Sequence, residues 1–366
     1  MKNIIKDVLL VIIFVVVLLC VIFFIKFGYN DLMKSENIEI ISTLPIIDEE
    51  EEKNQNVVTI GSNNNLKLNS NYDGNNYNKN FFYQQLTERQ KIIYNGLYNN
   101  KDNLKQGDYI VNYDKKFDDL LSTDDGEKNL GSDYQSAIEA FIHDNPDLFY
   151  LDINKMYLNI ETTTRFFKTN YKVYIGTKDG IKYYSDDFNN LSEIEQAIIE
   201  IENEKNKILN NVSGSDYKKI KYIHDYLINS IEYDNSVEEI GTYNIYGALV
   251  NKKCVCEGYA KAFKYLTNCA GLECELVQGI GINSSGNQEN HEWNCIKVNG
   301  IWYYIDCTWD DPIIIGGNGK ATQSMKYKYF LKGSNTFEKD HIISNQFSEG
   351  GKLFAYPSID SKDYNK

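Results

Sequence analysis

The chain has 366 residues, room for one large domain or two ordinary ones, and its 42% hydrophobic content can build a substantial core. Lys and Arg number 38 against 52 Asp and Glu, a net charge of −14. That balance argues against a nucleic-acid partner, whose phosphates demand basic patches, and fits a self-repelling soluble surface. In chain order, the first element is an uncharged apolar run from Val8 to Ile25. As a helix it would span about 27 Å, close to a bilayer core of about 30 Å. No small-residue cleavage site follows it, so residues 1–33 are expected to be an uncleaved single-pass membrane anchor, with the rest of the chain outside the cell.

Residues 34–80 hold the acidic run Asp48–Glu52 and then a stretch crowded with Asn, Gly and Ser. Such composition buries too little to offset the entropy of ordering, so a flexible stalk is expected. The acidic run lacks the spaced ligands of a calcium loop.

Periodicity begins at Phe81. Thr87 precedes a helix carrying Ile93 and Leu97, with Leu86 just ahead of it. Ser132 precedes another, with Tyr134, Ala137, Ile138, Phe141 and Ile142 on one face, stopping before Asn145-Pro146. Tyr171–Ile175 reads as a strand. Ser192 and Glu195 form a capping-box pattern ahead of Ile198 and Ile201. Residues 81–210 are thus an α+β region without a chemical signature. A second region, 211–366, opens with a helix over Asp216–Ile231, whose stripe is Ile220, Ile223, Leu227 and Ile231. His224 lies beside that stripe and reads as a buried polar group.

The chemistry lies between Tyr246 and Pro312. After Cys256 a helical pattern runs through Ala260, Phe263 and Leu266 to Gly271. A sulfur at a helix N-terminus meets unpaired N–H groups and the positive dipole end, which favour thiolate and can hold an oxyanion. Gly258, one turn in, leaves space for close approach. Downstream, Asn299-Gly300 between β-prone runs signals a two-residue type I′ hairpin. Val298 then faces Ile301, and His291 and Asp306 become diagonal neighbours on the same face, within reach of a planar ring and a carboxylate. One imidazole nitrogen can bond the carboxylate while the other takes the thiol proton. Among the four histidines, at 143, 224, 291 and 341, only His291 is placed beside a facing carboxylate. Cys254, Cys256, Cys269, Cys274, Cys295 and Cys307 contain no Cys-x-x-Cys pair, and Cys254-x-Cys256 is not a usual zinc spacing. No cofactor or metal is expected, and a core this large does not need disulfides.

At these residues the sequence resembles the transglutaminase-like superfamily, in its bacterial surface-protein branch. The matching pieces are Tyr246-Gly-Ala-Leu-Val, Val255-Cys-Glu-Gly-Tyr-Ala, His291-Glu-Trp-Asn and Tyr304-Ile-Asp-Cys-Thr-Trp-Asp-Asp-Pro, with Ile223-His-Asp-Tyr-Leu upstream. The resemblance implies a papain-like α+β core, a nucleophile helix packed on an antiparallel sheet, and a catalytic triad of Cys256, His291 and Asp306. Cys254 departs from the pattern, where a small residue is usual. The activity implied is cysteine-dependent acyl transfer or hydrolysis on protein or peptide amides, as a transglutaminase or a cysteine peptidase. The alternative is a non-catalytic binding module at the cell surface.

Overall fold

The structure, a computed structural model, describes residues 55–61, 80–166, 168–178, 180–311, 322–344 and 354–365, with the first of these segments described as backbone only. All fall in one compact unit, Glu50–Lys366. The expected anchor at 8–25, Cys20, the acidic run and most of the expected stalk lie outside the described residues. Among the described residues no helix is long and apolar enough to cross a membrane.

One part of the expected stalk is corrected. Gln55–Gly61 is a strand, β1, because Val57-Val-Thr-Ile60 is a β-branched run within the Asn-rich surroundings. It pairs antiparallel with Tyr157–Arg165 (β3), register Val58↔Ile160. β3 continues as a hairpin into Lys168–Gly176 (β4), and Val111–Asp114 (β2) closes the sheet in the order β1-β3-β4-β2.

Two helices accompany this sheet. Glu88–Tyr98 (α1) begins at Thr87, whose side chain accepts from the Gln90 N–H while Gln90 returns the bond, a complete capping box. Gly126–Asp144 (α2) starts earlier than the Ser132 signal. It buries Tyr134, Ala137, Ile138 and Phe141 completely, and Asn145 ends it. Asp144 then ties the region together by accepting from the N–H groups of Phe82 (3.0 Å) and Tyr83 (2.9 Å) and from the Tyr94 hydroxyl (3.1 Å).

Leu191–Leu209 (α3) is capped by Asn190, whose amide oxygen accepts from the Glu193 N–H at 3.1 Å, two residues ahead of the expected Ser192. Asp216–Ser230 (α4) turns Ile220, Ile223 and Leu227 into the core. Cys256–Cys269 (α5) ends at Gly271, which takes φ +80° as a left-handed stop. α5 lies on the second sheet, where Asn294 donates to the Ala260 carbonyl at 3.0 Å. That sheet comprises Cys274–Ile282 (β5), Gln288–Val298 (β6), Ile301–Ile305 (β7) and His341–Ile343 (β8), ordered β8-β5-β6-β7 and antiparallel throughout. Phe263, Leu266, Leu249 and Ile296 are fully buried; each is worth about 1.5–3 kcal/mol of transfer free energy. The expected α+β architecture, with the Cys256 helix against an antiparallel sheet, is the one observed. All six described cysteines are thiols rather than disulfides.

Candidate active site

Cys256 is the first residue of α5, and the chain before it is fixed at several points. Glu232–Tyr233 pairs in parallel with Lys253–Cys254, and the Val255 N–H donates to the Thr242 carbonyl at 3.0 Å. Val255 keeps extended backbone angles as N-cap, so the helix opens abruptly at the sulfur-bearing residue. The first return bond of the helix runs from the Tyr259 N–H to the Val255 carbonyl at 3.2 Å. The N–H groups of Cys256, Glu257 and Gly258 precede it, in the turn where helical donors have no intrahelical partner.

Gly258 leaves its space to the chain itself rather than to substrate. A Cβ there would sit 2.6 Å from the Cys254 Cβ and 3.1 Å from the Thr242 carbonyl oxygen. Cys254 is fully buried in that notch. Burial, with the neighbouring Cys256 adding to it, pushes its thiol well above the ordinary range, so it is a packing group and not a second nucleophile.

The hairpin has the expected register. Asn299 and Gly300 take φ +51° and +85°, the positive angles of a type I′ turn, and Val298 pairs with Ile301. β7 ends at Ile305. Asp306 leaves the strand to cap the short helix Cys307–Asp310 (α6), its Oδ1 accepting from the N–H groups of Thr308 (2.9 Å) and Trp309 (3.1 Å). Its Oδ2 accepts from His291 Nε2 at 2.8 Å. Asp306 is wholly buried. Burial alone would raise its pKa, but the His291 charge and the bonds from His291 and His341 hold it well below the carboxylate range.

With Nε2 on the carboxylate, Nδ1 is the ring nitrogen left over, and Cys256 is close enough to act on the imidazole electrostatically. The ring is 5% exposed. Burial works against its charge, yet Asp306 and then Cys256 outweigh it and raise the imidazole to about 10. Trp309 stacks on this ring, with centroids 4.9 Å apart at 24°. It approaches only because residue 281 is glycine: a Cβ there would lie 2.7 Å from the indole.

His224 is fully buried and bonds Asp310 (3.1 Å) and Asp225 (3.2 Å), away from the sulfur, as its position beside the α4 stripe suggests. It is a structural tie. Asp310 passes the connection on by accepting from the Tyr329 N–H at 2.8 Å.

A scan of known families places the region in context. Residues 206–307 match the model of the transglutaminase-like superfamily, a span that contains Cys256, His291 and Asp306. Residues 206–307 are a transglutaminase-like domain. Among curated proteins the chain is similar to the kyphoscoliosis peptidase of Mus musculus, 27% identical over 143 residues. That match takes in 36% of this chain but only 22% of that protein. Hillarin of Drosophila melanogaster is 28% identical over 98 residues, covering 23% and 12% of the two chains. The chain thus matches less than a quarter of the length of either relative. A crystal structure of a TGase overlaps 47% of this chain and 48% of its own at 16% identity and a TM-score of 0.29.

Two residues beside Cys256, His291 and Asp306 carry no signal in the sequence. His341 donates from Nε2 to the same Asp306 Oδ2 at 3.1 Å, and its Nδ1 pairs with Asp340 at 2.9 Å. It arrives through the pairing of β8 with β5, His341↔Gly281, far from the hairpin in sequence. Tyr233 lies in the two-residue bridge beside Cys254, and its hydroxyl, already raised by burial, is raised further by the charge of Cys256.

His291, Asp306 and His341 also form a group of potential metal ligands. Their geometry suits hydrogen bonding better: both Nε2 atoms aim at one carboxylate oxygen, at 2.8 and 3.1 Å, rather than at a common centre. The second imidazole therefore fixes the carboxylate that fixes the first. His341→Leu is expected to lower stability by about 1.5–3 kcal/mol, the worth of a hydrogen bond to a charged group. Urea unfolding measures this, and His341→Gln, which keeps a donor, should recover part of the loss.

Proposed function

We propose that the chain is a thiol enzyme acting on protein or peptide amides, with Cys256 as nucleophile, His291 as acid and base, and Asp306 as the group that orients His291. The observation that supports this reading is the buried His291 ring, which bonds Asp306 through Nε2 at 2.8 Å and whose pKa is raised by Asp306 and then by Cys256. The buried Asp306 carboxylate favours imidazolium at His291, the form that holds the thiol proton once the sulfur attacks. The sulfur attacks the amide carbon, a C–S bond forms, and the oxyanion lies against the N–H groups that open α5. His291 gives its proton to the departing nitrogen as the C–N bond breaks, leaving an acyl-thioester. An amine or water then attacks the thioester, His291 takes a proton from it, and the sulfur leaves as thiolate. An amine acceptor yields a cross-link or an exchanged amide; water yields hydrolysis.

We also place this domain at the cell surface, held by the apolar run Val8–Ile25, whose length fits a bilayer. Selective alkylation tests both parts. In the purified protein at neutral pH, Cys256 is expected to react with iodoacetamide at least about tenfold faster than the exposed Cys269, as a thiol activated by a neighbouring base does. Cys254, Cys295 and Cys307, whose thiols burial pushes well above the ordinary range, and Cys274, pushed to about 12, should stay unlabelled. Equal rates at Cys256 and Cys269, read by peptide mass spectrometry, would remove the basis of the mechanism. On intact cells a membrane-impermeant maleimide should reach Cys256; protection until lysis would refute the external location.

A further inference from the structure

A cavity of about 580 Å³ begins one residue along the chain from Cys256 and from His291, with Glu257 and Glu292 in its wall. One side is contributed by α5, β5 and β6, the other by the end of α2 and the segments at 149–154 and 185–187. The segment 237–244 completes the wall and is tied to 185–187 by Asp187, which accepts from the Gly241 N–H at 2.9 Å and from Asn244 Nδ2 at 3.2 Å.

Eight carboxyl side chains line the cavity, against a single ammonium, Lys261, among the described residues. His143 adds no charge there, since burial lowers its pKa to about 4. Lys261 is itself engaged, donating to Glu257 and to the Tyr243 carbonyl at 3.3 Å. Glu292 is the odd member. It is 5% exposed; its Oε2 accepts from Gln278 at 3.1 Å, while its buried Oε1 has no hydrogen-bond partner. Burial and then Glu257 raise its pKa to about 8, with Lys261 opposing. A buried carboxyl oxygen with no donor costs about 1–3 kcal/mol or more, a cost that a bound cation relieves. Ile142, Phe149 and Leu276 line the same cavity with apolar surface. A pocket with apolar walls and an acidic partner at depth matches a long aliphatic stem ending in a cation.

We propose that this cavity is a specificity pocket for a lysine or arginine side chain, carried by the protein or peptide substrate next to the amide that reaches Cys256. The proposal rests on Cys256 being the nucleophile only in fixing what the bound chain is for; the binding itself needs no thiol chemistry. It is therefore tested on the full chain carrying Cys256→Ser, by calorimetric titration with acetyl-lysine methylamide, acetyl-arginine methylamide and their acetyl-norleucine counterpart. The two cationic probes are expected to bind at least tenfold tighter than norleucine, and Glu292→Gln should shrink that ratio below threefold. A second variant guards against misfolding. Val237 lines the cavity at 45% exposure with φ +58°, a conformation that a β-branched residue adopts at a cost. Val237→Lys therefore leaves the fold intact while placing a competing ammonium in the cavity, and should weaken the cationic probes about tenfold. Equal binding of lysine and norleucine, binding of none of them, or a preference that survives both Glu292→Gln and Val237→Lys would overturn the pocket. None of those outcomes bears on the alkylation of Cys256, so the two proposals fail separately.

Discussion

Cys256→Ser is expected to lower turnover on the order of 10⁴-fold or more, because removing the nucleophile of a unit that acts together costs nearly as much as removing the whole unit. A hydroxyl is a smaller group than a thiol and its proton is held far more tightly, so a neighbouring imidazole takes that proton far less readily. The residue is only half-buried and begins a helix held by the bonds before it, so stability should change by less than about 1 kcal/mol. The measurement is single-turnover release of amine from a glutaminyl peptide and from a peptide bond, with Cys269→Ser as the control. Cys269 sits exposed at the far end of the same helix, and its variant should match the wild type. Full activity in Cys256→Ser would discard the mechanism; loss in both variants would trace the effect to the helix and not to the sulfur.

The nearness of His291 and Asp306 is legible in the sequence because its determinants are local. Asn299-Gly300 sets both positive φ angles of its turn, the turn sets the register, and the register ends β7 at Ile305, from where Asp306 caps α6 within 2.8 Å of His291. The helix after Cys256 carries its own apolar stripe and its own glycine stop. Where two local signals compete, the reading slips. Ser192 and Asn190 both offer a cap to α3, and the asparagine, two residues earlier, gains an extra half-turn of helix. His341 is of another kind. Nothing within reach of it in sequence announces that β8 will pair with β5 and bring a second imidazole to Asp306 Oδ2, since a short edge strand carries little pattern of its own. The Gln55–Gly61 strand escapes for a similar reason: its β-branched residues are few, and their partner strand begins about a hundred residues later. The cavity, assembled from both sides of the chain, leaves only scattered acidic residues in the sequence.

Asp306→Asn should be the most damaging change that leaves the sulfur in place. The carboxylate accepts four bonds, from Thr308 and Trp309 on one oxygen and from His291 and His341 on the other. An asparagine can satisfy only one of those sides with its oxygen. If the oxygen caps α6, its amide N–H groups face two imidazole nitrogens that must then become acceptors. His291 is thereby driven to carry its proton on Nδ1, toward the sulfur, with no anion behind it to hold imidazolium. The nitrogen that should take the thiol proton is occupied, and a rate loss of about 10⁴-fold is expected, the size seen when an orienting aspartate is converted to its amide. If the oxygen faces the histidines instead, the first turn of α6 loses its acceptor and Trp309 loses the anchor that stacks it on His291. Either way a buried charge pair is broken, a cost of about 3–5 kcal/mol. The pH dependence separates this from simple loss of packing. Asp306 has its folded pKa lowered, so its contribution is present above the unfolded value of about 4 and is lost as pH falls through the folded one. His291 has its folded pKa raised to about 10, so its contribution is complete below the unfolded value and is lost as pH rises toward 10. The melting-temperature gap between wild type and Asp306→Asn should therefore be widest from about pH 4 to 6.5 and shrink on both sides. A gap that stays constant from pH 3 to 10 would mean that the carboxylate acts by shape alone, and the charge relation between Asp306 and His291 would have to be abandoned.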